Sequence, residues 1–194
     1  MCSRYELIAN GRELAARFRL TGPPPLPNRT DNRPTDLGLV LTPGGPLLLR
    51  WGLAVEWDTR PLINARAETL ASKPTFRRLL GSRVLVPAGG WWEWRAEGEY
   101  RRKMHVRRPD GGLFAFAGLL DGEHFTLVTC AAGPSVAKLH HRMPVILPPE
   151  AEAPWLDPAT PFDAVAESLA PYSGPLTITA GELPASPVQP GLFD

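Results

Sequence analysis

The second residue of the chain is a cysteine, and a cysteine at an amino terminus has chemistry that an internal one lacks. Methionine before a small residue is usually trimmed, which would leave Cys2 first. It would then carry two nucleophiles on adjacent carbons, an α-amine of pKa about 7.7–8.0 and a thiol of about 8.5. With an aldehyde, the amine forms an imine and the thiol closes onto it as a five-membered thiazolidine. An internal cysteine cannot do this, because its nitrogen is tied up in an amide. Cys2 equally fits an N-terminal nucleophile for amide hydrolysis, with its own amine as base. Taken alone, it also fits an ordinary small residue at a chain end.

Three further segments concentrate reactive side chains. Asn64-Ala65-Arg66-Ala67-Glu68-Thr69 places an amide, a guanidinium and a carboxylate within six residues, outside any amphipathic pattern. Gly89-Gly90-Trp91-Trp92-Glu93-Trp94 sets one carboxylate among three indoles. An apolar setting raises a carboxyl pKa, so Glu93 is expected to keep a proton near neutral pH, as a general acid requires. A solvated carboxylate at a strand edge is the plainer alternative. His140-His141-Arg142-Met143-Pro144 puts imidazole beside guanidinium just before an apolar run, where a capping or turn role is the alternative. No Cys/His cluster has ligand spacing, so no metal and no cofactor are expected.

These residues need elements to hold them, and the pattern predicts mixed α and β. Asn10 with Glu13 three positions later reads as a helix start, with Leu14, Ala15 and Phe18 on one face and Gly22 and Pro23-Pro24-Pro25 as its end. Leu37–Thr42 and Leu47–Leu53 flank Pro43-Gly44-Gly45-Pro46 and read as a hairpin. A short helix is expected to end at Gly81. Strand-like runs follow at Arg83–Pro87, Trp91–Trp94, Tyr100–Arg107, Leu113–Leu119, His124–Cys130 and Met143–Leu147, then short helices near Glu150–Leu156 and Phe162–Leu169. Alternation along a strand puts Trp91 and Glu93 on one face and Trp92 and Trp94 on the other.

Composition bounds the class. The chain has 194 residues, 43% of them hydrophobic, enough for one cored domain and too apolar for a disordered polymer. No run approaches the roughly 18 apolar residues of a membrane span. Met1-Cys2-Ser3-Arg4-Tyr5-Glu6 lacks the basic-then-apolar form of a secretory signal, and two distant cysteines make no disulfide framework. A soluble, intracellular chain with no membrane partner is the expectation. The formal net charge of +1 hides an asymmetry. From Arg60 to Arg108 there are twelve basic and four acidic residues, and from Pro109 onward two basic and ten acidic. The basic third could follow a phosphate backbone, or the two parts could fold together and cancel.

Eight segments in order resemble the SOS-response-associated peptidase (SRAP) family. They are Met1-Cys2, Arg33-Pro34-Thr35, Trp51-Gly52-Leu53, Asn64–Thr69, Lys73-Pro74-Thr75-Phe76-Arg77, Leu85–Trp94, Phe114–Leu119 and His140–Leu147. The resemblance implies an α+β fold, with a largely antiparallel, barrel-like core and a few short helices, in one domain over residues 1–183. It implies a protein of the cytoplasm and nucleoid that senses abasic sites in single-stranded DNA. Such a protein removes Met1 itself and forms a thiazolidine crosslink through Cys2, with lyase activity possible. Asn64 then orients the Cys2 terminus, Glu93 shuttles protons, and His140 assists sugar-ring opening and reversal. Arg4, Arg66 and Arg77 are the implied phosphate contacts, and Trp51, Trp91 or Trp92 the implied base-stacking rings. An N-terminal-nucleophile amidohydrolase and a non-covalent single-strand binder remain the alternatives.

The chain departs from the family in places. Thr30-Asp31-Asn32 stands where an aromatic-Asn-apolar triplet is usual, and Asp31 carries a charge that repels phosphate. His141 stands where Asp or Asn is common, and Ser3 where Gly or Asn is. Residues 184–194 read as a loose tail. Within it, Gln189, Leu192 and Phe193 match the Gln-x-x-Leu-Phe peptide that docks on replication sliding clamps.

Overall fold

The computed structural model describes residues 2–28 and 30–181. In chain order it runs β1 (Tyr5–Glu6), α1 (Gly11–Phe18), β2 (Asp31–Asn32), β3 (Leu37–Thr42), β4 (Gly45–Trp51), β5 (Leu53–Val55), β6 (Asp58–Leu62) and β7 (Asn64–Arg66). A 3-10 turn at Ala67–Thr69 leads to α2 (Pro74–Arg77), β8 (Arg83–Ala88), β9 (Gly90–Glu97), β10 (Tyr100–Arg107), β11 (Phe114–Asp121) and β12 (His124–Ala131). Then come β13 (Arg142–Pro144), β14 (Ile146–Leu147), α3 (Pro149–Leu156), α4 (Phe162–Val165), a 3-10 turn at Ala166–Leu169 and β15 (Thr177–Ala180).

Pro43-Gly44 folds β3 onto β4 from Thr42↔Gly45 to Leu37↔Arg50. The sheet then closes on itself. β3 pairs with β8, β8 with β11, β11 with β12, and β12 returns to β4, leaving a five-stranded ring to which β7, β13 and β14 attach. Pairing is antiparallel except where β12 runs parallel to β4 and β7. All six residues of β8 are buried, because the ring interior covers one face and α3 packs on the strand as well. Arg83 is the polar member of that run. Its guanidinium donates to the carbonyls of Leu80, Trp155, Asp157 and Thr160, closing the end of α3.

A second, fully antiparallel sheet has the order β15-β10-β9-β1-β2. Its inner face lies on the ring. Tyr5 packs edge-on to Trp51 and Phe116 at 5.2 and 6.2 Å, and Trp91 to Phe114 and Phe116 at 6.4 and 6.1 Å. Gly38 makes this approach possible, since a Cβ there would collide with the Tyr5 hydroxyl.

The expected fold class holds, and the strands lie close to their expected places. Helix ends are different. Asn10 caps α1, its Oδ1 accepting from the amides of Arg12 and Glu13 while Glu13 accepts from Asn10 N–H. The helix stops at Phe18, four residues before Gly22, because Arg19 turns left-handed at φ 53° and its amide reaches Ala15 O. Likewise α2 ends at Arg77 rather than Gly81. No helix among the described residues is long and apolar enough to cross a membrane. Gln189, Leu192 and Phe193 lie outside the described residues.

Candidate active site

The N-terminal segment reaches the site along an edge of β9. Tyr5 pairs with Trp91, Gly89 N–H donates to Glu6 O, and Trp92 N–H donates to Arg4 O. That register delivers Cys2, 1% exposed, into the layer between the two sheets. Its thiol donates to Arg4 O at 3.6 Å, and its carbonyl accepts from Asn64 Nδ2 at 2.8 Å. Asn64 heads β7 and is fixed by parallel pairing with Leu127 of β12. Its Oδ1 is buried without a hydrogen-bond partner among the described residues.

Glu93 sits on the inner face of β9, opposite Met104 and 1% exposed. Alternation from Trp91 puts it there, as expected. Burial pushes its carboxyl up to about 7, against the pull of the positive charge at the chain's amino terminus. Burial also pushes the Cys2 thiol far up, and the Glu93 charge adds to the push, so the two groups share one electrostatic neighbourhood. The sulfur is therefore held as a thiol.

His140 follows the loop after β12. Burial and the terminal positive charge hold its pKa below the ordinary imidazole value. Its Nδ1 lies 2.9 Å from the amide N of Arg142 and 3.0 Å from the carbonyl O of the same residue. The neutral ring accepts from the amide, and the protonated ring donates to the carbonyl, so Nδ1 has a partner in both states. The ring stacks on His141 at 4.4 Å. Arg142 then ties this segment to the Asn64 segment. Its guanidinium grips Glu68 bidentately, Nη1–Oε1 at 2.6 Å and Nη2–Oε2 at 2.9 Å, and also donates to Thr129 O at 2.8 Å.

The expected contact residues divide. Arg66 is exposed and lines a cleft of about 420 Å³ with Asn64, Trp57, Lys73 and Phe76. Arg77 is exposed at the end of α2 and is not part of that lining. Arg4 lies on the outer face of the second sheet, as does Trp92, which is half-buried and stacked on His105 at 4.1 Å. Trp51 and Trp91 require correction as base-stacking rings. They are 1% and 0% exposed, and the Trp51 indole N–H is already committed to Ile63 O at 2.9 Å. Both belong to the core. Sequence reasoning missed Trp57, 64% exposed at the cleft, because its neighbours Glu56 and Asp58 gave no sign of a phosphate-binding surface. Another cleft of about 430 Å³, lined in part by Arg50, Glu56, Asp58 and His124, holds none of the expected residues. Among the described residues, no group of three His, Cys, Asp or Glu is placed to hold a metal.

Comparison with known proteins places this arrangement among relatives. A family model described as SOS response associated peptidase (SRAP) matches residues 1–190. The abasic site processing protein YoqW of Bacillus subtilis (strain 168) is 38% identical over 141 residues, 64% of this chain and 63% of that protein. The abasic site processing protein YedK of Escherichia coli (strain K12) is 37% identical over 116 residues, 55% of this chain and 52% of that one. The match thus spans less than two thirds of either relative. A crystal structure of a protein from Bordetella bronchiseptica superposes with a TM-score of 0.81 at 25% identity, covering 94% of this chain and 100% of that one.

Proposed function

The chain belongs to the SOS response associated peptidase family, and from that premise we propose that it captures abasic sites in single-stranded DNA through a covalent bond to Cys2. The observation that carries the proposal is the meeting of Cys2 with Asn64 and with the buried Glu93, whose carboxyl is pushed up to about 7.

Removal of Met1 exposes the α-amine of Cys2. Asn64 Nδ2 keeps the Cys2 carbonyl, and Oδ1, without a hydrogen-bond partner among the described residues, is an acceptor for that amine. The ring-opened sugar presents an aldehyde. Because burial keeps the sulfur protonated, the amine adds first and gives a carbinolamine. Glu93, whose burial favours the protonated carboxyl, donates a proton to the departing hydroxyl and takes the nitrogen's proton in return, so that water leaves and the neutral imine forms. The sulfur then bonds to the imine carbon while the thiol proton passes to nitrogen. The net reaction is aldehyde plus aminothiol giving thiazolidine plus one water. His140, partnered in either protonation state, serves the ring-opening proton transfer and the reverse reaction.

The test is incubation with a single-stranded oligonucleotide carrying one abasic site, followed by heat and a denaturing gel. A heat-stable shifted band that Cys2→Ala abolishes is the expected result. Glutamine hydrolysis with no shifted band points instead to an amidohydrolase. Salt-sensitive binding to intact strands that Cys2→Ala leaves unchanged, again with no shifted band, points to a non-covalent binder.

A further inference from the structure

The outer face of the five-stranded sheet carries an ion cluster that the covalent chemistry does not use. Strand register brings its members together. Arg4 is hydrogen-bonded through its carbonyl to Trp92, Trp92 pairs with His105, and Trp94 pairs with Lys103. Two residues further along the same face, Glu6 of β1 pairs directly with Asp31 of β2. Two carboxylates thus stand opposite each other across a ladder, an arrangement that repels unless cations intervene.

Cations do intervene. Asp31 reaches Arg4 Nε at 3.5 Å with one oxygen and Arg33 Nη2 at 3.4 Å with the other. His105 Nε2 lies 3.3 Å from Glu6 Oε1. Lys103 Nζ sits 3.8 Å from the centre of the Trp92 ring, and the Arg4 guanidinium 5.7 Å from that of Trp94. Both Asp31 contacts are long, and neither is bidentate. The carboxylate holds two guanidiniums without satisfying either.

We propose that Arg4, Arg33 and Lys103 form a binding patch for the phosphodiester backbone of single-stranded DNA, and that Asp31 is its internal competitor, occupying two arginines that a phosphate would otherwise take. Burial disfavours the charged forms of Arg4 and Lys103, Arg33 works against both and Arg4 against Lys103, while Asp31 favours both. A phosphate with its spread oxygens would satisfy the arginines better than one carboxylate. Asp31 sets how tightly and how salt-dependently the strand is held before capture. The inference rests on the proposed single-strand binding.

The experiment measures affinity for an intact, labelled single strand across a salt series, so that crosslinking cannot contribute. Asp31→Asn should bind about five-fold more tightly near 0.1 M salt and steepen the log–log salt slope by roughly 0.7, one phosphate's worth. Arg33→Gln, an exposed change, should weaken binding and remove the gain when combined with Asp31→Asn. Thermal melting should fall slightly in Asp31→Asn, since the Arg4 and Arg33 contacts are lost and the cations are left facing one another, so affinities are compared well below both midpoints. Unaltered affinity and slope in Asp31→Asn, with wild-type crosslinking intact, overturns the inference alone. Absence of any strand binding and crosslinking by the wild type overturns both it and the proposed function.

Discussion

Asn64 holds Cys2 by the main chain and not by the sulfur: Nδ2 donates to Cys2 O at 2.8 Å, while the thiol is left to Arg4 O. A grip on the carbonyl fixes the residue without consuming either nucleophile. It also survives loss of Met1, because the bond lies on the C-terminal side of the Cys2 amine. Two segments 62 positions apart are joined by it.

Asn64→Ala removes that grip and leaves the buried Cys2 carbonyl unpaired, a loss of about 1–3 kcal/mol. Crosslinking should slow by roughly tenfold, while affinity for an intact strand stays within about twofold. Single-turnover crosslinking alongside anisotropy checks it. Equal loss in both would make Asn64 a binding residue only.

Glu93 links the proposed proton transfer to stability with a definite sign. Its folded pKa, about 7, stands above the ordinary carboxyl value of 4.5, so between these values the folded state holds the extra proton and stability falls as pH rises. The penalty is fully present above pH 7 and amounts to about 3 kcal/mol. Glu93→Gln should therefore gain stability over wild type as pH rises from 5 to 8, while its crosslinking slows. Denaturant melts at the two pH values read the gap, and a gap independent of pH would contradict the titration.

The tryptophans separate fold from contact. Trp51→Ala should lower stability by about 3–5 kcal/mol, since it empties a core site and removes one of the two donors to the Ile63 carbonyl, the Leu127 amide being the other. Trp57→Ala, at a ring 64% exposed on the cleft beside Asn64, should leave melting unchanged and weaken strand binding about tenfold. Reversal of the two phenotypes would move the contact surface elsewhere.

Alternation made the inner position of Glu93 readable from Trp91-Trp92-Glu93-Trp94, and the Pro43-Gly44 turn made β3 and β4 readable. Two-residue strands such as Tyr5–Glu6 and Asp31–Asn32 carry no period to read, yet they deliver Cys2 and Asp31 to their places. Trp51 and Trp57 are six residues apart and chemically alike. Which one is buried depends on closure of the ring around Tyr5 and Phe125, and that is set by pairings distant in sequence. The same holds for Asn64 and His140, whose segments meet only because β7 and β13 both pair with β12 and Arg142 clasps Glu68.

The most direct measurement is the mass of the denatured adduct with an abasic oligonucleotide, with fragmentation to locate the bond. The account predicts the chain without Met1, plus the oligonucleotide, minus one water, with the linkage at residue 2. An adduct that retains Met1, maps to another residue, or forms equally in Cys2→Ala would contradict it.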